Sequence, residues 1–132
     1  MTTPTGRTVL IVDDEEPIRR AARRMLEKVG YTVLEAENGA RAVELLSHPA
    51  VVVDLLMADL QMPELTGEEM ARQIRSNRRD LKVLYVSGHV DRSATERPAL
   101  WEGEAFLGKP FTFAGLTQAV SSLLHGSTRQ KR

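Results

Sequence analysis

The sequence predicts an α/β fold in which a parallel sheet of five strands is covered by helices on both faces. Short β-branched runs alternate along the chain with segments whose apolar residues recur at helical spacing. Parallel neighbours in a sheet need crossover connections, which helices provide. The chain has 132 residues, of which 42% are hydrophobic, so it has the length and apolar content of one doubly wound domain.

The first strand and helix are predicted at residues 9–12 and 18–29. The strand is a β-branched run that ends in charge, which is typical of a strand buried on both faces. In the helix the apolar residues fall on one face, with Pro17 near the first turn and Gly30 at the end. The basic residues of this helix are expected to form a solvated face: Arg19, Arg20, Arg23 and Arg24.

Two further strands are predicted at residues 32–36 and 51–58, separated by a helix at residues 40–47. Asp54 is interpreted as a residue at the start of its strand. A third helix begins at Thr66, which stands in capping-box spacing with Glu69. Its basic residues are also expected to face solvent: Arg72, Arg75, Arg78 and Arg79.

Two strands and two helices are predicted in the last third of the chain. The strands lie at residues 82–86 and 105–107, and Thr112 caps a final helix whose core face runs from Leu116 to Leu124. Between the strands, Pro98 interrupts a poor apolar stripe, which predicts a short or irregular fourth helix. The domain is expected to span residues 7–125. Residues 1–6 would form an N-terminal tail, and the basic residues 126–132 a disordered C-terminal tail.

Composition excludes several classes of function. The chain has no cysteine, which removes disulfides, thiolate metal sites and cysteine nucleophiles. Its 18 basic and 18 acidic residues balance, so the whole molecule has no net field for nucleic acid or an anionic membrane. The sequence contains no bilayer-spanning run and no signal-peptide core. We therefore expect a cytoplasmic protein that binds neither nucleic acid nor membrane.

Charged and polar residues collect at the carboxyl ends of the predicted strands. They are Asp13, Asp14, Asp59, Ser87 and Lys109, and Gly88 and Pro110 stand next to the last two. Ligands of open parallel sheets bind at this edge. Three carboxylates there would repel one another, and a hard divalent cation with oxygen ligands, Mg²⁺ or Mn²⁺, would relieve the repulsion. An ammonium and a hydroxyl at the same edge could donate to phosphoryl oxygens.

Four motifs resemble the receiver domain of two-component response regulators. They are Val-Leu-Ile-Val-Asp-Asp-Glu at 9–15, Asp-Leu-Leu-Met-Ala-Asp-Leu-Gln-Met-Pro at 54–63 with Gly67, Val-Leu-Tyr-Val-Ser-Gly at 83–88, and Phe-Leu-Gly-Lys-Pro-Phe at 106–111. The resemblance covers residues 7–124. It implies a flavodoxin-like (βα)5 three-layer sandwich with strand order 2-1-3-4-5, similar to a single-domain chemotaxis response regulator.

The resemblance also assigns the chemistry of the site. Asp59 would be the phosphoacceptor that attacks a phosphohistidine of a sensor histidine kinase or a histidine phosphotransfer protein, or a small phosphodonor. Lys109 would screen the phosphoryl charge. Asp14, Asp59 and the backbone carbonyl of Gln61 would bind Mg²⁺, and Asp13 would act largely through water.

Further residues are implied to act in switching and tuning. Ser87 would follow the new phosphoryl oxygens inward, and Phe106 would turn from an outward to a buried position. Gly88 would leave the approach to the phosphoryl group open, and Gln61 and His89 would tune the phosphoryl lifetime. The bond between Lys109 and Pro110 is expected to be cis. The predicted fourth helix, fifth strand and final helix would form the surface for a downstream target, on a monomer or a phosphorylation-dependent dimer.

Other interpretations stay open at this point. Residues 13–16 could be only an acidic cluster that caps the first helix. A magnesium phosphatase similar to haloacid dehalogenases needs a second aspartate two residues after the nucleophile, where this chain has Gln61. A flavodoxin-like FMN carrier needs a phosphate loop where this chain is acidic. The chain could also be the receiver of a hybrid histidine kinase or of a longer regulator; a lone receiver is expected to pass its signal to another molecule.

Overall fold

A computed structural model describes residues 5–88 and 103–125 of the chain. Its five parallel strands are β1 (Thr8–Val12), β2 (Thr32–Ala36), β3 (Leu55–Asp59), β4 (Lys82–Ser87) and β5 (Glu104–Gly108). The helices of the described residues are α1 (Glu16–Lys28), α2 (Gly39–Leu46), α3 (Gly67–Arg75) and α4 (Phe113–His125). The strand order is β2-β1-β3-β4-β5, which confirms the predicted α/β class and the order 2-1-3-4-5.

Alternate residues of the strands divide the core into two layers. Val9 and Ile11 of β1 pack into the layer that includes Leu26 of α1 and Leu116 of α4. Leu10 and Val12 pack into the other layer, to which α2 and α3 contribute Ala42, Leu46, Met70, Ala71 and Ile74. The central strand β1 is therefore buried on both faces, as its β-branched run predicts.

Side-chain caps begin three of the helices, and the sequence predicts two of them, at Thr66 and Thr112. Asn38 accepts a hydrogen bond from the Arg41 amide at 2.8 Å at the start of α2. Thr66 and Glu69 form a reciprocal capping box, with bonds of 3.0 and 3.1 Å. Thr112 accepts from the Gly115 amide at 2.9 Å at the start of α4.

The third strand is shorter than predicted. It begins at Leu55, the residue that pairs with Val9 at the start of the contact with β1. The amide of Val51 instead donates to the carbonyl of His48 in a turn, and Val52 is 67% exposed. Asp54 lies just before the strand, where its carboxylate accepts from the amide of Thr8 at 2.8 Å, so its assignment to the start of the strand is confirmed.

The solvated-face interpretation is wrong for several arginines. Arg19 and Arg23 both bind Glu35 on β2 at 2.7 Å, and Arg19 is only 13% exposed. Arg75 pairs with Glu104 at 2.8 Å. Arg78 donates to the carbonyls of Leu46 and His48 at the end of α2. These guanidinium groups connect elements because each has an acidic or carbonyl acceptor that lies far away in sequence.

Some predictions fall on parts of the chain that the structure does not describe. They are the fourth helix, His89, the basic tail and most of residues 1–6. The final predicted helix is α4. None of the helices within residues 5–88 and 103–125 has the length and apolar character needed to span a bilayer.

Candidate functional site

The sheet brings the predicted site residues to one edge. Asp13 follows β1, Asp59 ends β3, Ser87 ends β4 and Lys109 follows β5. Strand pairing aligns these ends: Val12 is opposite Ala58, Asp59 is opposite Val86, and Ser87 is opposite Gly108. The amide of Lys109 also donates to the carbonyl of Ser87 at 2.8 Å. The site is therefore positioned by the four adjacent strands β1, β3, β4 and β5.

Three aspartates form an acidic cluster at this edge. One carboxylate oxygen from each of Asp13, Asp14 and Asp59 lies within 4.8 Å of the other two. Asp13 and Asp59 are buried, at 3% and 5% exposure, whereas Asp14 is exposed. Carboxylates at this spacing repel one another unless a cation lies among them.

Lys109 supplies a positive charge to this cluster. Its Nζ lies 3.0 Å from Asp13 Oδ2, 3.3 Å from Asp59 Oδ2 and 3.2 Å from Glu15 Oε1. A single ammonium cannot neutralise three carboxylates. The contact set is therefore net negative even before Asp14 is counted.

Backbone amides hold the second oxygen of each buried carboxylate. The amide of Glu15 donates to Asp13 Oδ1 at 2.8 Å, and the amide of Gln61 donates to Asp59 Oδ1 at 3.0 Å. Glu15 is the N-cap residue of α1 and makes no side-chain cap, although Glu16 places an acidic residue in the first turn, so capping accounts for only part of the acidic cluster at residues 13–16. The loops after β1 and β3 instead orient carboxylates toward one another.

Burial and charge shift the acid–base properties of the site. Burial, together with the charge of Asp13, raises the pKa of Asp59, although the Gln61 amide and Lys109 act in the opposite direction. Burial alone would lower the pKa of Lys109, but its hydrogen bond to Asp13 and the charges of Asp59 and Asp13 outweigh burial and raise it. Lys109 is therefore held as an ammonium at neutral pH.

The donor set fits a magnesium ion. All three clustered aspartates offer oxygen, the chain contains no cysteine, and the described residues bring no histidine into the cluster. Mg²⁺ prefers carboxylate and carbonyl oxygens and tolerates few protein ligands, whereas Zn²⁺ prefers nitrogen and sulfur. The excess of buried negative charge gives such a cation a favourable place to bind.

An open pocket of about 260 Å³ adjoins the cluster. Its lining residues are Asp14, Glu15, Asp59, Gln61, Gly88 and Lys109. A Cβ added to Gly88 would meet no atom of the described residues within 4 Å, so the absence of a side chain there keeps the pocket wide. Asp59 therefore lines an open pocket although the residue itself is mostly buried.

An apolar groove of about 520 Å³ lies beside this pocket. It runs between Ile18, Ala21 and Met25 of α1 and the segment after β5, where Phe111 follows Pro110. Gly88 and Lys109 line both cavities. The peptide bond between Lys109 and Pro110 is cis, as the resemblance implies.

The other predicted residues lie at or near this edge. Ser87 is buried at the end of β4, and Gln61 contributes a backbone amide to the site. Phe106 lies on β5 opposite Tyr85 and packs, half-buried, against the core layer that contains Val12. His89 lies outside the described residues.

Sequence reasoning missed two residues that contact the site. Glu15 shares Lys109 with the two buried aspartates. Arg19 donates from Nη1 to the backbone carbonyl of Asp13 at 2.7 Å. The sequence does show a carboxylate, Glu35, near the end of β2 that could bind an arginine of α1. Identifying Arg19 as its partner requires the strand register, in which Glu35 lies opposite Ile11 of β1.

Known proteins resemble this chain over most of its length. The family model of the response regulator receiver domain matches residues 9–121. The sensor kinase CckA of Brucella abortus (strain 2308) is 34% identical over 117 residues, which are 89% of this chain and 12% of the kinase. The response regulator MprA of Mycobacterium ulcerans (strain Agy99) is 36% identical over 118 residues, which are 88% of this chain and 49% of that regulator.

A solved structure gives the same result. The crystal structure of the response regulator protein TrrA from Thermotoga maritima, in complex with Mg²⁺-BeF, is 31% identical, has a TM-score of 0.76 and is matched over 89% of this chain and 99% of that one. The chain spans about half the length of MprA and a small part of the sensor kinase. Because the family model covers far more than half of the chain, the chain belongs to the response regulator receiver domains of two-component systems.

Proposed function

We propose that this protein is a phosphorylation switch in which Asp59 accepts a phosphoryl group from a phosphohistidine. The donor is a sensor histidine kinase or a histidine phosphotransfer protein, the classes of partner with which receiver domains interact. One observation carries this proposal: Asp59, at the end of a buried strand, lies 3.3 Å from the Lys109 ammonium and within 4.8 Å of two further carboxylates. The receiver domain that carries the site extends over residues 7–125.

The acidic cluster is the proposed binding site for Mg²⁺, which Mn²⁺ can replace. Asp13, Asp14, Asp59 and the backbone carbonyl of Gln61 would hold the ion, Asp13 largely through water. The bound ion supplies positive charge that screens the approach of an anionic phosphoryl group to a carboxylate. Support comes from the all-oxygen donor set and from the Mg²⁺-BeF complex of the related TrrA protein.

The chain's own residues account for the transfer step. A carboxylate oxygen of Asp59 attacks phosphorus and forms the P–O bond while the P–N bond to the donor imidazole breaks, and the imidazole nitrogen keeps the bonding electron pair. The product is an acyl phosphate. The Lys109 ammonium and the Ser87 hydroxyl donate hydrogen bonds to phosphoryl oxygens, and the raised pKa of Lys109 keeps its charge available.

The apolar groove beside the pocket is the proposed docking place for the phosphodonor protein. It is formed by α1 and by Phe111, and it shares Lys109 with the pocket that leads to Asp59. Exposed Arg20 and Arg24 on α1 add positive charge to the same helix. A helix seated in this groove would bring its phosphohistidine next to the acceptor.

Phosphorylation adds roughly 1.5 to 2 negative charges at the edge of the sheet. We infer that Ser87 moves toward the new oxygens and that Phe106 becomes more buried, which changes the surface formed by β5, α4 and the predicted fourth helix. A downstream target or a second receiver would read this surface. Gly88, His89 and Pro110 would tune access and phosphoryl lifetime, and the protein would act stoichiometrically rather than as a turnover enzyme.

Incubation with Mg²⁺ and a small phosphodonor, followed by intact mass spectrometry, tests the acceptor. The wild-type protein should gain the mass of one phosphoryl group, and chelation of Mg²⁺ should abolish the gain. Asp59→Asn should gain nothing. An equal gain in Asp59→Asn, or no gain in the wild-type protein, would refute the proposal.

Asp54→Asn is a matched control for this experiment. Asp54 precedes the same strand at its opposite end and binds the amide of Thr8, far from the acidic cluster. The variant should still accept one phosphoryl group. Loss of phosphorylation in both variants, with folding retained, would mean that the assay reports a property of the strand rather than of Asp59.

A further inference from the structure

The backbone at the acidic cluster is held by a side chain from α1. Arg19 donates from Nη1 to the carbonyl oxygen of Asp13 at 2.7 Å and from Nε to Glu35 Oε1, also at 2.7 Å. The guanidinium is planar, so two short bonds on different edges fix both its position and its orientation. The side chains of Arg19 and Glu35 are 13% and 19% exposed, which shields these bonds from water.

Glu35 is itself firmly anchored. It belongs to β2 and lies opposite Ile11 of β1, so its backbone is part of the sheet. Its second oxygen accepts from Arg23 Nη1 at 2.7 Å. Burial alone would raise the pKa of Glu35, but the bonds from Arg23 and Arg19 outweigh burial and lower it. Arg19 is therefore tied to the sheet by a carboxylate that stays ionised at neutral pH.

The Asp13 carbonyl belongs to the peptide plane that joins Asp13 to Asp14. Fixing that oxygen fixes the plane and so sets the direction in which Asp14 leaves the main chain. Asp13 is held at three other atoms, since its amide donates to Ala36 and its carboxylate accepts from Glu15 and Lys109. Within the described residues, by contrast, the Asp14 carboxylate accepts no hydrogen bond, so its direction depends on the backbone.

We propose that Arg19, held by Glu35, is a positioning residue that orients the Asp13–Asp14 peptide so that both carboxylates face one divalent cation. This inference rests on the proposed function, because it concerns the same Mg²⁺ site. A purely electrostatic role predicts the opposite result, since a nearby guanidinium repels Mg²⁺ and its removal should strengthen binding. The sign of the change in affinity therefore separates positioning from charge.

Isothermal titration with Mg²⁺ tests the proposal on the full chain. Arg19→Gln should bind Mg²⁺ about 10-fold more weakly, the usual cost of losing a group that orients a metal ligand. Arg19→Lys keeps the charge but replaces the rigid planar pair of donors with one flexible ammonium that does not fix the orientation of the peptide, so it should also bind about 10-fold more weakly. Unchanged or tighter binding by Arg19→Gln would overturn the proposal.

Two neighbouring arginines provide matched controls. Arg23→Gln removes a guanidinium that binds the same Glu35, and Arg20→Gln removes one that pairs with Glu16. Neither residue contacts the Asp13 carbonyl. Both variants should bind Mg²⁺ within about twofold of the wild-type protein, far less than the loss expected for Arg19. An equal loss in Arg23→Gln would assign the effect to Glu35 or to general stability and would contradict the role of Arg19.

A second readout needs no metal. The backbone amide resonance of Asp14 in Mg²⁺-free protein should shift or broaden in Arg19→Lys and Glu35→Gln and stay unchanged in Arg20→Gln, with folding checked by circular dichroism. If the wild-type protein fails to bind Mg²⁺, the proposed function is wrong, and this resonance alone decides whether Arg19 orients the peptide. An unchanged Asp14 resonance in both variants would refute it.

Discussion

Asp59 is buried, and several other carboxylates lie close to it. Its carboxylate shares Lys109 with Asp13 and Glu15 and also lies in a cluster with Asp14. The pKa of Asp59 is raised, so in the metal-free protein its ionised form costs free energy on folding. The buried cluster of negative charge suits a cation site, and it therefore lowers the stability of the protein when no cation is bound.

Asp59→Asn should stabilise the metal-free protein. Neutralising a buried carboxylate relieves repulsion, and Lys109 retains Asp13 and Glu15 as partners, so thermal unfolding in EDTA should occur about 3 °C higher at pH 7. Because the folded-state pKa is raised, the penalty is present above it and absent below the unfolded value of 3.8. The gain should thus shrink as pH falls from 7 toward 3.8.

Asp54→Asn separates this effect from a general effect of removing charge. Asp54 binds the Thr8 amide at 2.8 Å and has no cluster of carboxylates around it, so its replacement should lower the melting temperature. If Asp59→Asn is also destabilising in EDTA, repulsion does not dominate at the cluster.

Glu64 adopts a left-handed backbone conformation, with φ of 70°. It lies in the loop between Asp59 and the start of α3 at Gly67. Glu64→Asn should raise the free energy of unfolding by about 0.5 kcal/mol, because asparagine tolerates this conformation better than other residues that carry a Cβ. Chemical denaturation measures the change.

Glu64→Ala is the control for backbone strain. It removes the same carboxylate but keeps a Cβ that is poorly suited to positive φ, so stability should not rise. A gain equal to that of Glu64→Asn would assign the effect to the side chain rather than to the backbone.

The start of α3 packs directly on the backbone of Asp59, the proposed phosphoacceptor. A Cβ at Gly67 would lie 2.3 Å from the carbonyl oxygen of Asp59, closer than any Cβ can approach. Gly67→Ala should therefore move the loop that joins β3 to α3. We expect a loss of about 2 kcal/mol in the free energy of unfolding and weaker Mg²⁺ binding, measured by denaturation and titration.

Gly88→Ala is the matched control for this element. The added Cβ would meet no described atom within 4 Å, so the free energy of unfolding should change by less than about 0.5 kcal/mol. The two glycines lie at the same edge of the sheet, which makes the difference between them a test of contact with Asp59. Equal losses in both variants would rule out that contact as the cause.

At the scale of the whole molecule, the Mg²⁺ binding that we propose would be coupled to folding. The acidic cluster joins the ends of β1 and β3, which are adjacent strands inside the sheet. A ligand that binds only the folded state at 100 times its Kd adds about 2.7 kcal/mol to the free energy of unfolding. The melting temperature should rise with Mg²⁺ concentration, and Asp14→Asn should require more Mg²⁺ for the same rise. A melting temperature that is independent of Mg²⁺ would contradict this coupling.

Local sequence patterns predicted most of the fold and the members of the acidic cluster. Some features depend only on residues that are close together in the sequence, so the sequence reveals them. They include the apolar runs of β1, β2 and β4 and the helix caps at Thr66 and Thr112. The early start predicted for β3 was wrong, because β-branched residues favour extended backbone whether or not a partner strand lies beside them.

Side-chain pairings that depend on strand register or on the packing of a helix could not be predicted. Glu35 receives Arg19 and Arg23 only because β2 pairs with β1 in a particular register. Glu15 reaches Lys109 across 94 positions of sequence. An arginine on a helix looks the same in the sequence whether it meets water or a buried carboxylate, and only the packing of elements decides between them.

The groove between α1 and Phe111 has a consequence for chemical intervention. Its volume of about 520 Å³ lies within the range of sites that enclose drug-sized molecules, and its walls are mainly aliphatic and aromatic. A compound bound there would rest against Lys109, the residue that also faces Asp59. Such an inhibitor could exclude the proposed phosphodonor protein and perturb Asp59, the proposed phosphoacceptor, from one binding mode, without carrying the negative charge of a phosphate mimic.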